Sequence, residues 1–255
     1  MRITFLGTGT SQGVPVIGCR CPTCCSPDPH DRRLRSSILV EHKGMTVVVD
    51  TGPDFRQQML THQVDRLDAI LFTHEHRDHI AGLDDIRSYN FIQKKSMDVY
   101  AEDRVIRALT GMFPYVFAEK KYPGVPSVAI HSIAPDPFRI GELDVQPIRV
   151  MHYMLPVLGF RFGDFAYITD ANRIPDKELG KLAGVSHLVV NALRKERHIS
   201  HFTFSEAIDL IRQVGAEQGY LTHLSHQMGP VAELSDELPD NVSVAYDGLV
   251  LDLKP

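Results

Sequence analysis

Apolar positions recur along the chain with two periods. Arg2 to Leu6 alternates polar and apolar, as a strand with one buried face does. Ser36–Glu41 and Met45–Asp50 are two strand-like runs around His42-Lys43-Gly44, a hairpin signal, and Val47-Val48-Val49 reads as a buried strand. A helix is expected from Asp54 to His62. Ala69–Phe72 is again a buried-strand run, and Ile80, Leu83 and Ile86 begin a helix that runs to Tyr89. Met97–Tyr100 is a short strand. Asp103–Met112 is a helix with Val105, Ile106 and Leu109 on one face. Residues 113–126 carry four aromatics and three prolines, so a regular interior element is excluded. A packed surface loop, a flap over a site or a homodimer contact remains. Leu143–Val150 alternates, Val157–Phe162 and Phe165–Thr169 form a hairpin, and Pro175–Ala183 is a helix. Leu188–Ala192 is a buried strand, and the capping-box pattern Thr203-Phe-Ser-Glu206 starts the next helix. Gly219–Thr222 is a strand. Asn241–Tyr246 and Leu249–Leu253 are expected to close the second sheet around the turn signal Asp247-Gly248. Two runs of strands, each with its helices, predict an α/β fold of two sheets packed face to face with helices outside. No linker or composition break divides residues 1–255, so one domain is expected.

Composition narrows the function classes. A hydrophobic content of 43% and a charged content of 23% are ordinary for a soluble globular chain. A net charge of −5 argues against general nucleic-acid or anionic-membrane binding. No apolar run approaches the roughly 18 residues that a membrane span needs. Met1-Arg-Ile-Thr-Phe-Leu-Gly7 leads straight into a strand and a glycine loop, so no secretory leader is expected. The four cysteines all fall between Cys19 and Cys25. Such crowding makes a poor disulfide framework and a good metal site, which favours a cytoplasmic location.

The chemistry concentrates after the strand at Ala69–Phe72, in Thr73-His74-Glu75-His76-Arg77-Asp78-His79. In an extended segment His74, His76 and Asp78 point to one side, and His79 follows as the chain turns into a helix. Imidazole nitrogen and carboxylate oxygen suit zinc, manganese or iron. One ion cannot readily take all four donors from so short a segment. Two ions are expected, His74 and His76 on one, Asp78 and His79 on the other. Cys19-x-Cys21-x-x-Cys24 supplies three thiolates, one short of a tetrahedral structural zinc. The fourth ligand is Cys25 or, since adjacent residues rarely point at one ion, a distant His. Asp50 ends a buried strand and either holds a partner there or caps the helix at Asp54. The loop Gly7–Gly13 is either a tight turn or a backbone cradle for phosphate. In the charged loop 194–202, His198 and His201 are both candidates for proton transfer, and Arg194 and Arg197 could meet a phosphate.

The stretch Thr-His-Glu-His-Arg-Asp-His resembles the His-x-His-x-Asp-His signature of the metallo-β-lactamase-fold hydrolases. Within that superfamily the chain is similar to the phosphoribosyl 1,2-cyclic phosphodiesterase family of the carbon–phosphorus lyase pathway. The resemblance implies a four-layer αββα sandwich, the metallo-β-lactamase fold. It implies His152 as a further ligand and Asp170 as the carboxylate shared by both ions, where the lactamases proper tend to have Cys. Ion one would then take His74, His76, His152 and Asp170, and ion two Asp78, His79, Asp170 and His223. It implies a structural zinc on Cys19, Cys21, Cys24 and His226, three residues after His223, leaving Cys25 out. Asp50 would sit behind the ligands and hold an imidazole by hydrogen bond. His201, in a His-x-Thr element, matches the proposed general acid of this family and of ribonuclease Z.

The expected function is hydrolysis of a small phosphodiester, such as 5-phosphoribosyl 1,2-cyclic phosphate, by a hydroxide held between two manganese or zinc ions. A ribonuclease Z-like RNA processor is the alternative. The chain shows no long basic, glycine-rich arm, and its net charge is wrong for gripping RNA. A non-catalytic metal-binding protein and a cofactor-biosynthesis relative on the same fold stand as further alternatives.

Overall fold

The computed structural model describes residues 1–253. The first sheet is built from β1 (Arg2–Gly7), β2 (Ser37–His42), β3 (Met45–Val49), β4 (Ala69–Leu71), β5 (Met97–Ala101) and β6 (Val128–Ser132). The second holds β7 (Phe138–Ile140), β8 (Leu143–His152), β9 (Leu155–Phe162), β10 (Phe165–Ile168), β11 (His187–Asn191), β12 (Gln218–Thr222) and β13 (Val242–Val244). A last strand, β14 (Val250–Asp252), returns to the first sheet. The strand orders are β14-β1-β2-β3-β4-β5-β6 and β13-β12-β11-β10-β9-β8-β7. Each sheet is antiparallel toward one edge and parallel toward the other, with β3 to β6 parallel in the first and β10 to β13 in the second.

Helices α1 (Phe55–Thr61), α2 (Arg77–Ile80), α3 (Arg87–Gln93), α4 (Asp103–Met112) and α5 (Pro114–Phe117) belong to the first half. Helices α6 (Asp176–Leu179), α7 (Phe204–Val214) and α8 (Val231–Leu234) belong to the second. The period of two along each strand divides the core into layers. Val47, Val49, Ala69 and Leu71 face Phe160, Tyr167, Val189 and Tyr220 between the sheets. The residues between them turn outward: Val48, Ile70 and Val99 pack with Phe55, Val105 and Leu109. On the other side Ile168, Val190 and Leu221 pack with Ala207 and Ile211 of α7. The result is helix, sheet, sheet, helix: the αββα sandwich that the two runs of strands predict. The capping box at Thr203 is present, with Glu206 N–H donating to Thr203 Oγ1 at 3.2 Å and Thr203 N–H to Glu206 Oε2 at 2.8 Å.

Two expectations fail locally. The segments around Asp247-Gly248 do not form a hairpin: β13 edges the second sheet, and β14 pairs with β1 in the first. Asp247 accepts from Thr8 Oγ1 at 2.7 Å and Leu34 N at 2.6 Å, and Gly248 N–H donates to Phe5 O at 2.8 Å. These bonds carry the chain across to β1. The helix expected through Tyr89 is broken into α2, a 3-10 turn at Leu83–Ile86, and α3. Its apolar spacing of three, Ile80, Leu83 and Ile86, is the period of a 3-10 helix, and Gly82 interrupts it. A Cβ on Gly82 would lie 2.1 Å from Gly52 O, so the break is where two backbone segments touch. Residues 114–117 form the short helix α5, whose Val116 is buried and whose neighbour Tyr115 donates to Asp84 Oδ1 at 2.5 Å. Val116 and Tyr115 thus pack this part of the stretch against the fold, while Tyr122 is exposed. Strands β6 and β7 were not legible as strands.

Candidate metal centre

The candidate ligands sit where strands of both sheets end, the usual place for sites in α/β folds. β3 runs into Asp50, β4 into Thr73 and His74, β8 ends at His152, β10 leads to Asp170, and β12 to His223. Asp50, Asp170 and His223 have φ of 66°, 50° and 57°. Non-glycine residues seldom hold such left-handed backbone, and its clustering at one place marks a site. Asp78 does not continue the extended run of His74 and His76. His76 is the extended N-cap of α2, and Asp78 and His79 lie on that helix's first turn. The loop after Asp50 passes so close to this turn that a Cβ on Gly52 would lie 2.1 Å from Asp78 O.

Hydrogen bonds behind the ligands fix which nitrogen faces the centre. Thr73 Oγ1 donates to Asp50 Oδ2 at 2.8 Å, so it accepts from His74 Nδ1, 2.9 Å away. His79 Nδ1–H donates to the same Asp50 oxygen at 2.7 Å. His152 Nδ1–H donates to Ser200 O at 2.8 Å. In all three rings Nε2 is thereby aimed inward. Asp50 thus lies behind the His79 and His74 rings, and it does not cap α1, which has no side-chain cap bond. Asp54 instead accepts from the Arg35 guanidinium.

Electrostatics show what the centre wants. Asp50, His74 and His79 are fully buried, and Asp170 and His223 nearly so. Burial pushes His79 down, but Asp170, Asp78 and Asp50 overcome it and hold the ring well above its ordinary pKa. Burial likewise opposes ionisation of Asp170, yet His223, His79 and His201 hold it well below the carboxylate range. Burial pushes His74 well down and His223 down to about 4. A cluster of buried carboxylates demands a cation beside it. His79 Nε2 lies 3.2 Å from Asp78 Oδ2 and 3.4 Å from Asp170 Oδ2, yet among the described residues it has no hydrogen-bond partner. Divalent ions fit this donor set: they would satisfy the orphaned nitrogen and match nitrogen and carboxylate ligands.

Three groups of donors lie mutually within 4.8 Å: His74, His76 and Asp170; His79, Asp170 and His223; His152, Asp170 and His201. Asp170 is common to all. His152 falls with His201 rather than with His74 and His76, although its ring centroid is 5.1 Å from that of His76. Asp78 reaches the second group through His79. His201 is buried, with Nε2 3.6 Å from Asp170 Oδ2 and Nδ1 3.1 Å from Ser200 Oγ. His198 lies behind it, Nδ1 to Nδ1 at 3.2 Å. The cysteine cluster forms a separate group within 4.8 Å: Cys19, Cys21, Cys24 and His226. Cys19 and Cys21 Sγ lie 3.2 and 3.4 Å from His226 Nδ1, and exposed Cys25 stays outside. The Cys24 backbone N–H lowers the Cys21 thiol to about 6, toward the thiolate that zinc binds.

Some supporting residues escaped the sequence. Asn191 Oδ1 accepts from Ala171 N at 2.8 Å and its Nδ2 donates to Ala171 O at 3.0 Å, clamping the Asp170 turn. A polar residue ending the apolar run of β11 was the available signal. The glycine loop serves close backbone approach: Thr10 N–H donates to Leu224 O at 3.0 Å, and Thr10 Oγ1 lies 3.2 Å from His223 Nε2. Arg194 spends its guanidinium on Glu196 O, Arg197 O and Gln227 Oε1, so it is a loop brace.

The sequence profile of the Beta-lactamase superfamily domain matches residues 45–224. A crystal structure of a diphosphatase from the PhnP family superposes with TM-score 0.92 at 38% identity, over 99% of this chain and 98% of that one. The chain belongs to the PhnP family of the β-lactamase superfamily. Zn(2+)-bound PqqB from Methylobacterium extorquens shares the fold, with TM-score 0.77 at 20% identity over 99% and 100% of the two chains. An octanoyltransferase of Porphyromonas gingivalis is 42% identical over 252 residues, 98% of this chain and 51% of that protein. This PhnP-family chain therefore spans about half the length of that curated relative. The donor set is one that could hold metal ions. Among the described residues no helix is long and apolar enough to cross a membrane.

Proposed function

We propose that the chain is a two-metal hydrolase of small phosphoric diesters, with a cyclic ribosyl phosphate as the lead substrate. The observation that supports this most is the gathering of His74, His76, His79, His152, His201 and His223 around one carboxylate, Asp170. His74, His76, His152 and Asp170 would hold one ion; Asp78, His79, Asp170 and His223 the other. When bound, two such ions lower the pKa of water and neutralise phosphoryl oxygens. The side chains do the rest. Asp50 and Thr73 lock the tautomers of His79 and His74. His201, beside the ligands and backed by Ser200 and His198, is placed to give a proton to the leaving alkoxide. The Cys19, Cys21, Cys24 and His226 group would hold a structural zinc that ties the N-terminal loop to the segment carrying His223.

The PhnP-family neighbour named a diphosphatase favours a second reading, cleavage of a P–O–P linkage, which uses the same residues. Octanoyl transfer does not carry over. The chain matches only half of the protein so named. Manganese- or zinc-loaded protein should hydrolyse an aryl phosphodiester, lose that activity to chelator, and lose it in His76→Ala. Full turnover by His76→Ala would overturn the reading.

A further inference from the structure

The first turn of α4 lies outside the ligand set, yet it bridges the two halves of the site. Arg104 on that turn gives Nη2 to Glu75 Oε1 and Nη1 to Pro156 O, the latter at 3.1 Å. Glu75 is the residue between His74 and His76, so its side chain governs the loop that presents both. Pro156 lies opposite Met151 in the β8–β9 ladder, and its neighbour Leu155 pairs with His152. One guanidinium therefore holds the His74–His76 loop of the first half against the hairpin that ends in His152 of the second. A parallel strap stands beside it. Glu102, the N-cap of α4, takes both Arg149 nitrogens, with Nη1 to Oε2 at 2.7 Å, and Arg149 is on β8 three residues before His152. Both pairs are largely buried, with side-chain exposures of 25% and 24% for Arg104 and Glu75 and 18% and 15% for Arg149 and Glu102. Glu75 Oε2 is buried with no hydrogen-bond partner among the described residues, so the carboxylate rests on Arg104. Among the donors of the other ion, His79 is braced by Asp50, which also reaches His74 through Thr73, and His223 by Thr10 and Ser36.

We propose that Arg104, through Glu75 and Pro156, is a positioning residue that sets His74 and His76 at their working distance from His152, and so fixes the affinity of that one ion. The inference rests on the two-ion reading above. A surface ion pair would contribute little; this one acts on geometry, because a planar fork reaches two acceptors on two halves of the molecule at once. In Arg104→Lys the ammonium keeps the charge but cannot hold both acceptors. In Glu75→Gln the amide oxygen still accepts the hydrogen bond but carries no charge.

The test is manganese titration of protein freed of catalytic-site ions, read by calorimetry and by the electron paramagnetic resonance of coupled against isolated manganese. The proteins are wild type, Arg104→Lys, Arg104→Met and Glu75→Gln. Wild type should take up two ions at the centre and give the coupled signal. Both Arg104 variants should weaken one ion about 10- to 100-fold, as loss of an outer support does, and leave the other unchanged. Glu75→Gln should stay within about threefold of wild type. The metal-free melting temperature should move little in Arg104→Lys, which separates positioning from folding. Unchanged affinity in Arg104→Met would overturn the proposal. So would equal weakening of both ions, or a loss in Glu75→Gln that Arg104→Lys escapes, which would mean charge rather than position. Wild type that takes up a single ion would remove the two-ion reading itself, before any variant is considered.

Discussion

Asp50→Asn is the sharpest single perturbation of the centre. Asp50 is fully buried and accepts three hydrogen bonds: Thr73 N–H on Oδ1 at 2.9 Å, and Thr73 Oγ1–H and His79 Nδ1–H on Oδ2 at 2.8 and 2.7 Å. Asparagine has the same shape but one oxygen. If that oxygen meets Thr73 N–H, the amide NH₂ faces His79 Nδ1. The ring must then carry its proton on Nε2, aimed at Asp78 and Asp170, and the lone pair that an ion needs is gone. If the amide turns over, NH₂ faces Thr73 N–H, and two buried donors oppose each other at a cost of about 1–3 kcal/mol. Either way the ion on His79 loses support. The expected loss is about 10–100-fold in its affinity, or about 1.4–2.7 kcal/mol, with kcat/KM falling at least as far. Manganese titration measures the first and phosphodiester hydrolysis the second. Wild-type affinity and turnover in Asp50→Asn would refute the tautomer argument and leave Asp50 as a core acceptor only.

Other consequences are independent of that one. His201→Ala should keep both ions and lower kcat about 10²–10⁴-fold on an alkoxide leaving group, but far less on a nitrophenolate, which needs no proton; equal losses on both would remove His201 as proton donor. Cys21→Ser should lose the zinc of the cysteine site in elemental analysis, whereas Cys25→Ser should keep it, and the reverse pattern would disprove the ligand set. Asp247 gives a pH test. Burial pushes its pKa from 3.8 up to about 6, against bonds from Leu34 and Thr8 and the charge of Arg33. A carboxyl raised on folding favours the folded state while protonated, so its contribution is full below pH ~4 and declines until pH ~6. The shift corresponds to about 3 kcal/mol. The stability of wild type relative to Asp247→Asn, from urea unfolding, should fall by about that much between pH ~4 and ~7, and a pH-independent difference would contradict it.

Much of the fold is legible in the sequence, for identifiable reasons. The inter-sheet core follows from period-two alternation: Val47 and Val49 turn inward and Val48 outward. The spacing of His74, His76, Asp78 and His79 after an apolar strand was legible by itself; His152, Asp170 and His223 came from the family resemblance, and all of them, with Asp50, fall at strand ends. What was hidden is what depends on contact between distant segments. Asp247-Gly248 signals a turn but cannot say that Thr8 and Leu34 will capture it. The spacing of Ile80, Leu83 and Ile86 reads as helix until Gly82 meets Gly52. That His152 groups with His201, and that Arg104 reaches Glu75 and Pro156 together, are properties of two halves closing on each other and have no local pattern.

The most direct test of the two-metal phosphodiesterase is a substrate panel on metal-loaded protein with His76→Ala beside it. It compares 5-phosphoribosyl 1,2-cyclic phosphate, nucleoside 2′,3′-cyclic phosphates, a diphosphate diester, a precursor transfer RNA and an octanoyl thioester. The account predicts high kcat/KM on a small phosphoric ester, foremost the ribosyl cyclic phosphate, abolished in the variant. Turnover confined to the transfer RNA or the thioester, or turnover that survives His76→Ala, would contradict it.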